Sequence, residues 1–173
     1  MTPSSEFVEL DKAVHDRSSF DCGTPQLNHF LQQFAAKHRA AGISMTMVLP
    51  AKGREADICA YYTLCHTQIS RKTLPKSAAK SLPHYPVPVL LIAQLAVNRT
   101  AQGQGLGKIT LIRALRHARA INEHLPSYAV VVDALDDGVQ RFYEQFGFHT
   151  LDTHNDLARM YLSMKTVLQL FAE

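Results

Sequence analysis

Between Asp57 and Glu123 the chain contains neither aspartate nor glutamate, while Arg71, Lys72, Lys76, Lys80, Arg99, Lys108, Arg113, Arg116 and Arg119 all fall inside that stretch. The absence removes any carboxylate base from the middle of the chain and concentrates positive charge there, although the net charge is only +3. Such segregation suits a phosphate-rich ligand; a face kept soluble by lysine and arginine is the plainer alternative. Long apolar runs are missing too, since Val87–Ala93 and Ala129–Val132 are far too short to span a bilayer. Met1–Asp11 lacks the basic start and apolar stretch of a signal peptide, so a cytoplasmic location without membrane contact is expected. Cys22, Cys59 and Cys65 are odd in number and form no Cys-x-x-Cys pair, which fits a reducing compartment. The histidines form no His-x-x-x-His pair and no cluster with ligand spacing, so no metal is expected.

What the chain does have is enough length and apolar content for one well-packed domain over residues 1–173. Phe7–Leu10 reads as a short strand. Thr24 or Asp21 could cap a helix over Pro25–Arg39 whose apolar face is Leu27, Phe30, Leu31 and Phe34, and Gly42 ends it. Ser44–Leu49 and Ile58–His66, joined by a turn at Gly53, read as a hairpin, with Ile58, Ala60, Tyr62 and Leu64 alternating as in a half-buried strand. Ser70–Pro88 is mostly loop with one short helical turn. Val89–Val97, interrupted only by Gln94, suits a central strand covered on both faces. Leu106, Ile109, Ile112 or Leu111, Leu115 and Ala118 then predict a helix over Gly105–Asn122. Tyr128–Ala134 is a further strand. Gly138–Phe146 is a short helix with Val139, Phe142 and Phe146 inward and Gly147 at its end. Phe148–Leu151 and Leu157–Met164 complete the strands.

The informative unit is strand, then Gln102-Gly103-Gln104-Gly105-Leu106-Gly107-Lys108, then helix. Glycines there let backbone N–H groups converge at a helix N-terminus, where the dipole also favours negative charge, so a pyrophosphate is the natural occupant. Gln102 and Ile109 stand where a P-loop has its first glycine and its Ser or Thr. The third glycine of a dinucleotide fingerprint would fall on Lys108. A turn that serves chain geometry alone is the alternative.

These residues resemble the GNAT superfamily of N-acetyltransferases, whose pyrophosphate loop reads Gln/Arg-x-x-Gly-x-Gly/Ala: Gln102, Gly105 and Gly107 match. Leu95-Ala96-Val97 looks like the strand that meets the pantetheine arm, and Arg141-Phe142-Tyr143-Glu144-Gln145-Phe146-Gly147-Phe148 like the family's C-terminal helix motif. Phe20-Asp21-Cys22-Gly23, Leu27-Asn28-x-Phe30-Leu31 and Ala134-Leu135-Asp136-Asp137 extend the resemblance to the GNAT toxins of bacterial toxin–antitoxin modules. That family acetylates the α-amino group of aminoacyl-tRNA, stops translation and is neutralised by a ribbon-helix-helix antitoxin.

The resemblance implies an α/β (α+β) fold with a mixed central sheet of six to seven strands flanked by helices, its central parallel strands splayed apart. It implies acetyl-CoA as co-substrate, held by Leu95, Ala96, Val97, Gln102–Lys108, Phe142 and Phe146. Val97 N–H would polarise the thioester carbonyl and Tyr143 would protonate the departing sulfur; taken alone, Tyr143 equally suits packing. Arg71, Lys72, Lys76 and Lys80 are assigned to the tRNA backbone. An α-amine titrates near ~7.7 to 8.0, against ~10.4 for a lysine ε-amine, so an α-amine substrate needs no base. Asp133, Asp136 and Asp137 are accordingly read as loop and capping residues, although Glu6, Glu9 or a water could still act. A homodimer is allowed for. The rival readings are a GNAT enzyme for a polyamine, antibiotic or protein N-terminus, which calls for a carboxylate-lined pocket, and a non-catalytic interaction module.

Overall fold

The computed structural model describes residues 1–172. Its core element is a seven-stranded sheet of order β1-β2-β3-β4-β5-β7-β6. The strands are β1 (Val8–Glu9), β2 (Met45–Ala51), β3 (Arg54–Ile69), β4 (Val87–Val97), β5 (Ala129–Ala134), β6 (His149–His154) and β7 (Leu157–Ser163). The helices are α1 (Pro25–His29), α2 (Ala35–Ala40), α3 (Lys76–Ala79), α4 (Leu106–His124), α5 (Asp137–Glu144) and α6 (Met164–Leu170). The expected strand number and helix flanks are met.

By its contacts the chain forms two compact units, the first made of Met1–Cys65 with Ile92–Ala114. Here β1 pairs antiparallel with β2, and β2 with β3. The whole of Ile58–Leu64 is buried, so this strand is covered on both faces and not half-buried as its alternation suggested. The polar cost is met locally: Thr46 and Thr63, register partners, share a 2.7 Å hydroxyl hydrogen bond. One apolar cluster gathers Phe20, Leu31, Ala35, Val48, Ile58, Tyr61 and Ala96; another gathers Leu49, Ala51, Cys59, Ala60, Ala101 and Leu106. The run from α1 to α2 passes through a π-helical segment, Phe30–Phe34. That wider turn brings Leu31 and Ala35 inward and leaves Phe34 40% exposed, ringed by His29 and His38, so Phe34 is not part of the buried face. Thr24 occupies the cap position without a side-chain cap bond.

The second unit comprises His66–Leu91 and the chain from Leu115 onward. In it β7 pairs antiparallel with both β5 and β6. Its core is Ile69, Leu74, Ala79, Val87, Val89, Ala129, Val131 and Tyr161. Asn155 and Asp156, both at positive φ, make the two-residue β6–β7 turn, a conformation their short polar side chains tolerate. Asp133 lies within β5, neither loop nor cap, and holds Arg159 of its register partner β7 by two 2.8 Å hydrogen bonds. Asp136 does cap α5, accepting from Val139 N at 2.8 Å. The last strand stops at Ser163, whose hydroxyl accepts from Thr166 N and starts α6.

In α4, Leu106, Thr110, Leu111, Ala114, Leu115 and Ala118 are buried while Ile109 is 45% exposed. The apolar stripe therefore runs through Leu111 and omits Ile109. Thr110 is admitted because its hydroxyl donates to Leu106 O at 2.6 Å.

Candidate active site

Strand β4 delivers the chain to the glycine loop. Ile92 and Ala96 are buried, whereas Ala93, Gln94, Leu95 and Val97 keep partial exposure, so the last third of the strand is accessible along its length. Asn98 ends the strand and is itself buried. Its N–H donates to Cys59 O and its side-chain amide to Ile58 O, while its Oδ1 accepts from Thr100 N and Thr100 Oγ1. A single 3₁₀ turn, Arg99–Ala101, follows.

The loop's polar side chains are committed to holding backbone. Gln102 Nε2 donates to Val97 O at 2.9 Å and Cys22 O at 3.1 Å; Gln104 Nε2 donates to Ala101 O and Met1 O. Gly103 and Gly105 have φ of +79° and +76°, the left-handed region that disfavours a side chain, and a Cβ on either would meet no protein atom within 4 Å. Space therefore lies open in front of the turn, whose residues Gln102–Gly105 are exposed. Gly105 O accepts the first helical bond, from Ile109 N, so helix geometry leaves the N–H groups of Leu106, Gly107 and Lys108 without intrahelical acceptors. The first turn of α4 carries no acidic residue. This combination fits a diphosphate.

The Phe20–Leu31 motif, whose spacing alone carries no role, braces the glycine loop within the same unit. Asp21 Oδ1 accepts from Gly23 N and Asn28 Nδ2, and Asn28 Oδ1 accepts from Cys22 N. The other side of this knot grips the loop: Arg99 N donates to Asp21 O, the Arg99 guanidinium pairs with Asp21 at 3.3 Å, and Cys22 O receives Gln102. The Gly23 N–H, then Asn28 and Arg99, hold the Asp21 carboxyl below the ordinary carboxylate range. Glu9 is paired with Arg39 on the surface.

In the second unit α5 presents a different face from the one its apolar spacing suggested. Tyr143 is the buried residue, 6% exposed, and Val139, Phe142 and Phe146 are only partly covered. The Tyr143 ring packs on Phe142 and Phe148, each 5.3 Å away, while Phe146 packs on Phe142. Burial pushes the phenol well above the usual tyrosine range, so it stays protonated at neutral pH. Among the basic residues, Lys72, Lys76 and Lys80 are exposed. Lys76 and Lys80 share one face of α3 and its end. Arg71 differs: it is half-buried and its guanidinium donates to Leu82 O at 2.7 Å, which folds the segment back on itself.

Residues 76–148 match the model of the acetyltransferase (GNAT) family. The tRNA-acetylating toxin of Mycobacterium tuberculosis is 30% identical over 158 residues, covering 91% of this chain and 92% of that protein. The structure of AtaT complexed with acetyl-methionyl-tRNAfMet superposes with a TM-score of 0.87 at 28% identity, covering 96% of this chain and 99% of that one. AtaTR bound with AcCoA gives a TM-score of 0.81 at 26% identity, covering 96% and 98%. With a relative of that identity matched along nearly its whole length, the chain belongs to the GNAT acetyltransferases and, within them, to the family of tRNA-acetylating toxins.

Proposed function

We propose that this chain is a toxin that transfers the acetyl group of acetyl-CoA to the α-amino group of aminoacyl-tRNA and so blocks translation. The observation that carries the reading is the open glycine turn between β4 and α4, built from backbone donors with its side chains spent on bracing. Gln102–Lys108 would hold the pyrophosphate, and Leu95, Ala96 and Val97 on the accessible end of β4 would pair with the pantetheine arm. By the family resemblance, Phe142 and Phe146 would add apolar cover for the thiol end. The likeness to the M. tuberculosis toxin and to AtaT supports charged tRNA as acceptor.

In this reading Val97 N–H donates to the thioester carbonyl oxygen as negative charge gathers on it. The amine nitrogen bonds to the carbonyl carbon, the carbon–sulfur bond breaks, and the electron pair leaves on sulfur. Tyr143 gives its proton to that sulfur. A phenol raised by burial loses a proton to a thiolate, pKa ~8.5, only uphill. The proton shed by the amine nitrogen must therefore return to the Tyr143 oxygen, through solvent, in the same turnover. Lys72, Lys76 and Lys80, with Arg71 shaping their segment, would meet the tRNA phosphates.

Toxin–antitoxin resemblance extends the reading to a ribbon-helix-helix antitoxin, a homodimer and a cytoplasmic setting for a single-domain protein; no described helix is long and apolar enough to cross a membrane. Purified protein given labelled acetyl-CoA and a mixture of charged tRNAs should place label on the aminoacyl nitrogen. Label appearing only on uncharged tRNA, polyamine or protein would overturn the reading.

A further inference from the structure

Two buried side-chain polar atoms among the described residues have no hydrogen-bond partner: Ser44 Oγ and Gln94 Oε1. The second lies on β4, three residues before Val97. A stranded amide oxygen costs on the order of 1–3 kcal/mol, and turning the amide over only exchanges which polar atom is stranded. Strand periodicity puts Gln94 in the row of Leu90, Ile92 and Ala96, all buried, and that row would hold an apolar side chain at no such cost. The glutamine is also the one interruption of the apolar run. Its residue is partly exposed although its oxygen is not, so the oxygen meets a ligand only when the amide turns toward the accessible end of the strand.

In the proposed function a pantetheine arm held along Leu95–Val97 would end beside Gln94. Three strand residues span ~10 Å of backbone, within reach of a glutamine side chain turned along the strand and an amine poised at the thioester.

We infer that Gln94 orients the attacking amine: its Oε1 accepts one N–H of the substrate, which turns the nitrogen lone pair toward the thioester. This rests on the proposed aminoacyl-tRNA reaction. An uncharged acceptor suits an amine that is already neutral, and it agrees with the absence of acidic residues between Asp57 and Glu123.

Gln94→Leu should lower kcat/KM for charged tRNA by about tenfold, leave acetyl-CoA affinity within about twofold, and melt no lower than wild type, because a stranded polar atom is removed. Gln94→Glu, which keeps an acceptor oxygen, should recover most of the rate. A kcat/KM within about threefold of wild type in Gln94→Leu overturns the inference, as does a lower melting temperature with full activity, which marks a structural amide. Acetyl-CoA affinity falling in parallel with rate would assign the amide to the cofactor side instead. Should Gln94→Leu fail to fold, Gln94→Met carries the same test. Wild-type protein that leaves charged tRNA unmodified removes both the proposed function and this inference; an active wild type with unaffected Gln94 variants removes the inference alone.

Discussion

The two units offer a ligand different things. In the first, the polar side chains around the glycine loop are turned onto protein backbone, from Asn98, Gln102 and Gln104 to the Asp21–Asn28 knot, and what remains for a ligand is N–H groups in fixed positions. In the second, the groups of interest are side chains: a buried phenol on α5 and exposed lysines on and beside α3. A backbone cradle suits a compact diphosphate of constant shape, while long solvated side chains suit an extended phosphate backbone that must be accommodated along its length. The difference predicts that damage to the glycine loop shows in cofactor binding, whereas damage to the α3 lysines shows in acceptor binding and damage to Tyr143 in the chemical step.

The largest effect belongs to the second unit. Tyr143→Phe keeps the ring contacts with Phe142 and Phe148, so the protein should fold and bind acetyl-CoA normally, yet single-turnover acetylation of charged tRNA should fall by ~10²- to 10⁴-fold. A rate within about threefold of wild type would leave Tyr143 as a packing residue only. Next comes the cradle itself. Gly105→Val forces a β-branched residue to positive φ and fills the open space before the loop, so acetyl-CoA affinity in calorimetry should drop by roughly 100-fold, about 2.7 kcal/mol, with tRNA binding unaffected. Unchanged affinity in folded protein would take the loop out of the site.

The smallest effect sharpens the comparison from the other direction. Reversing charge at Lys72 and Lys76 should weaken tRNA binding severalfold and lower the slope of log K against log salt by ~1 for each phosphate no longer neutralised, while acetyl-CoA affinity stays put. Wild-type affinity and salt slope would return the segment to an ordinary solvated surface.

Local order was legible in the sequence wherever periodicity and punctuation agreed. The glycine loop, the α4 start and the Asp136 cap follow from residue type and spacing alone. Faces were harder. Ile109 and Phe34 fit an apolar stripe by spacing and still point outward, because Thr110 satisfies its own hydroxyl within the helix and a π-helical turn shifts the register after Phe30. The helix α6 was hidden by a strand that runs straight into its cap, although Ser163 ahead of Met164 and Val167 carries the signal. Long-range partnerships left no local trace. Nothing near Asp133 foretells Arg159, and nothing near Gln102 foretells Cys22.

The Gln102–Cys22 bond spans 80 residues, and Gln104 reaches Met1 across 103. Closing such distances carries an entropic cost that local turns avoid, growing as about (3/2)RT ln n. The braces of the glycine loop, the proposed diphosphate cradle, thus require the chain through Gln104 and the Asp21 knot to be in place together. A nascent or partly unfolded chain would lack a competent loop even where its glycines are already in their turn. In the proposed function, where acetylation of charged tRNA halts translation, that long-range closure would act as an arming step, separating synthesis of the chain from the onset of its effect.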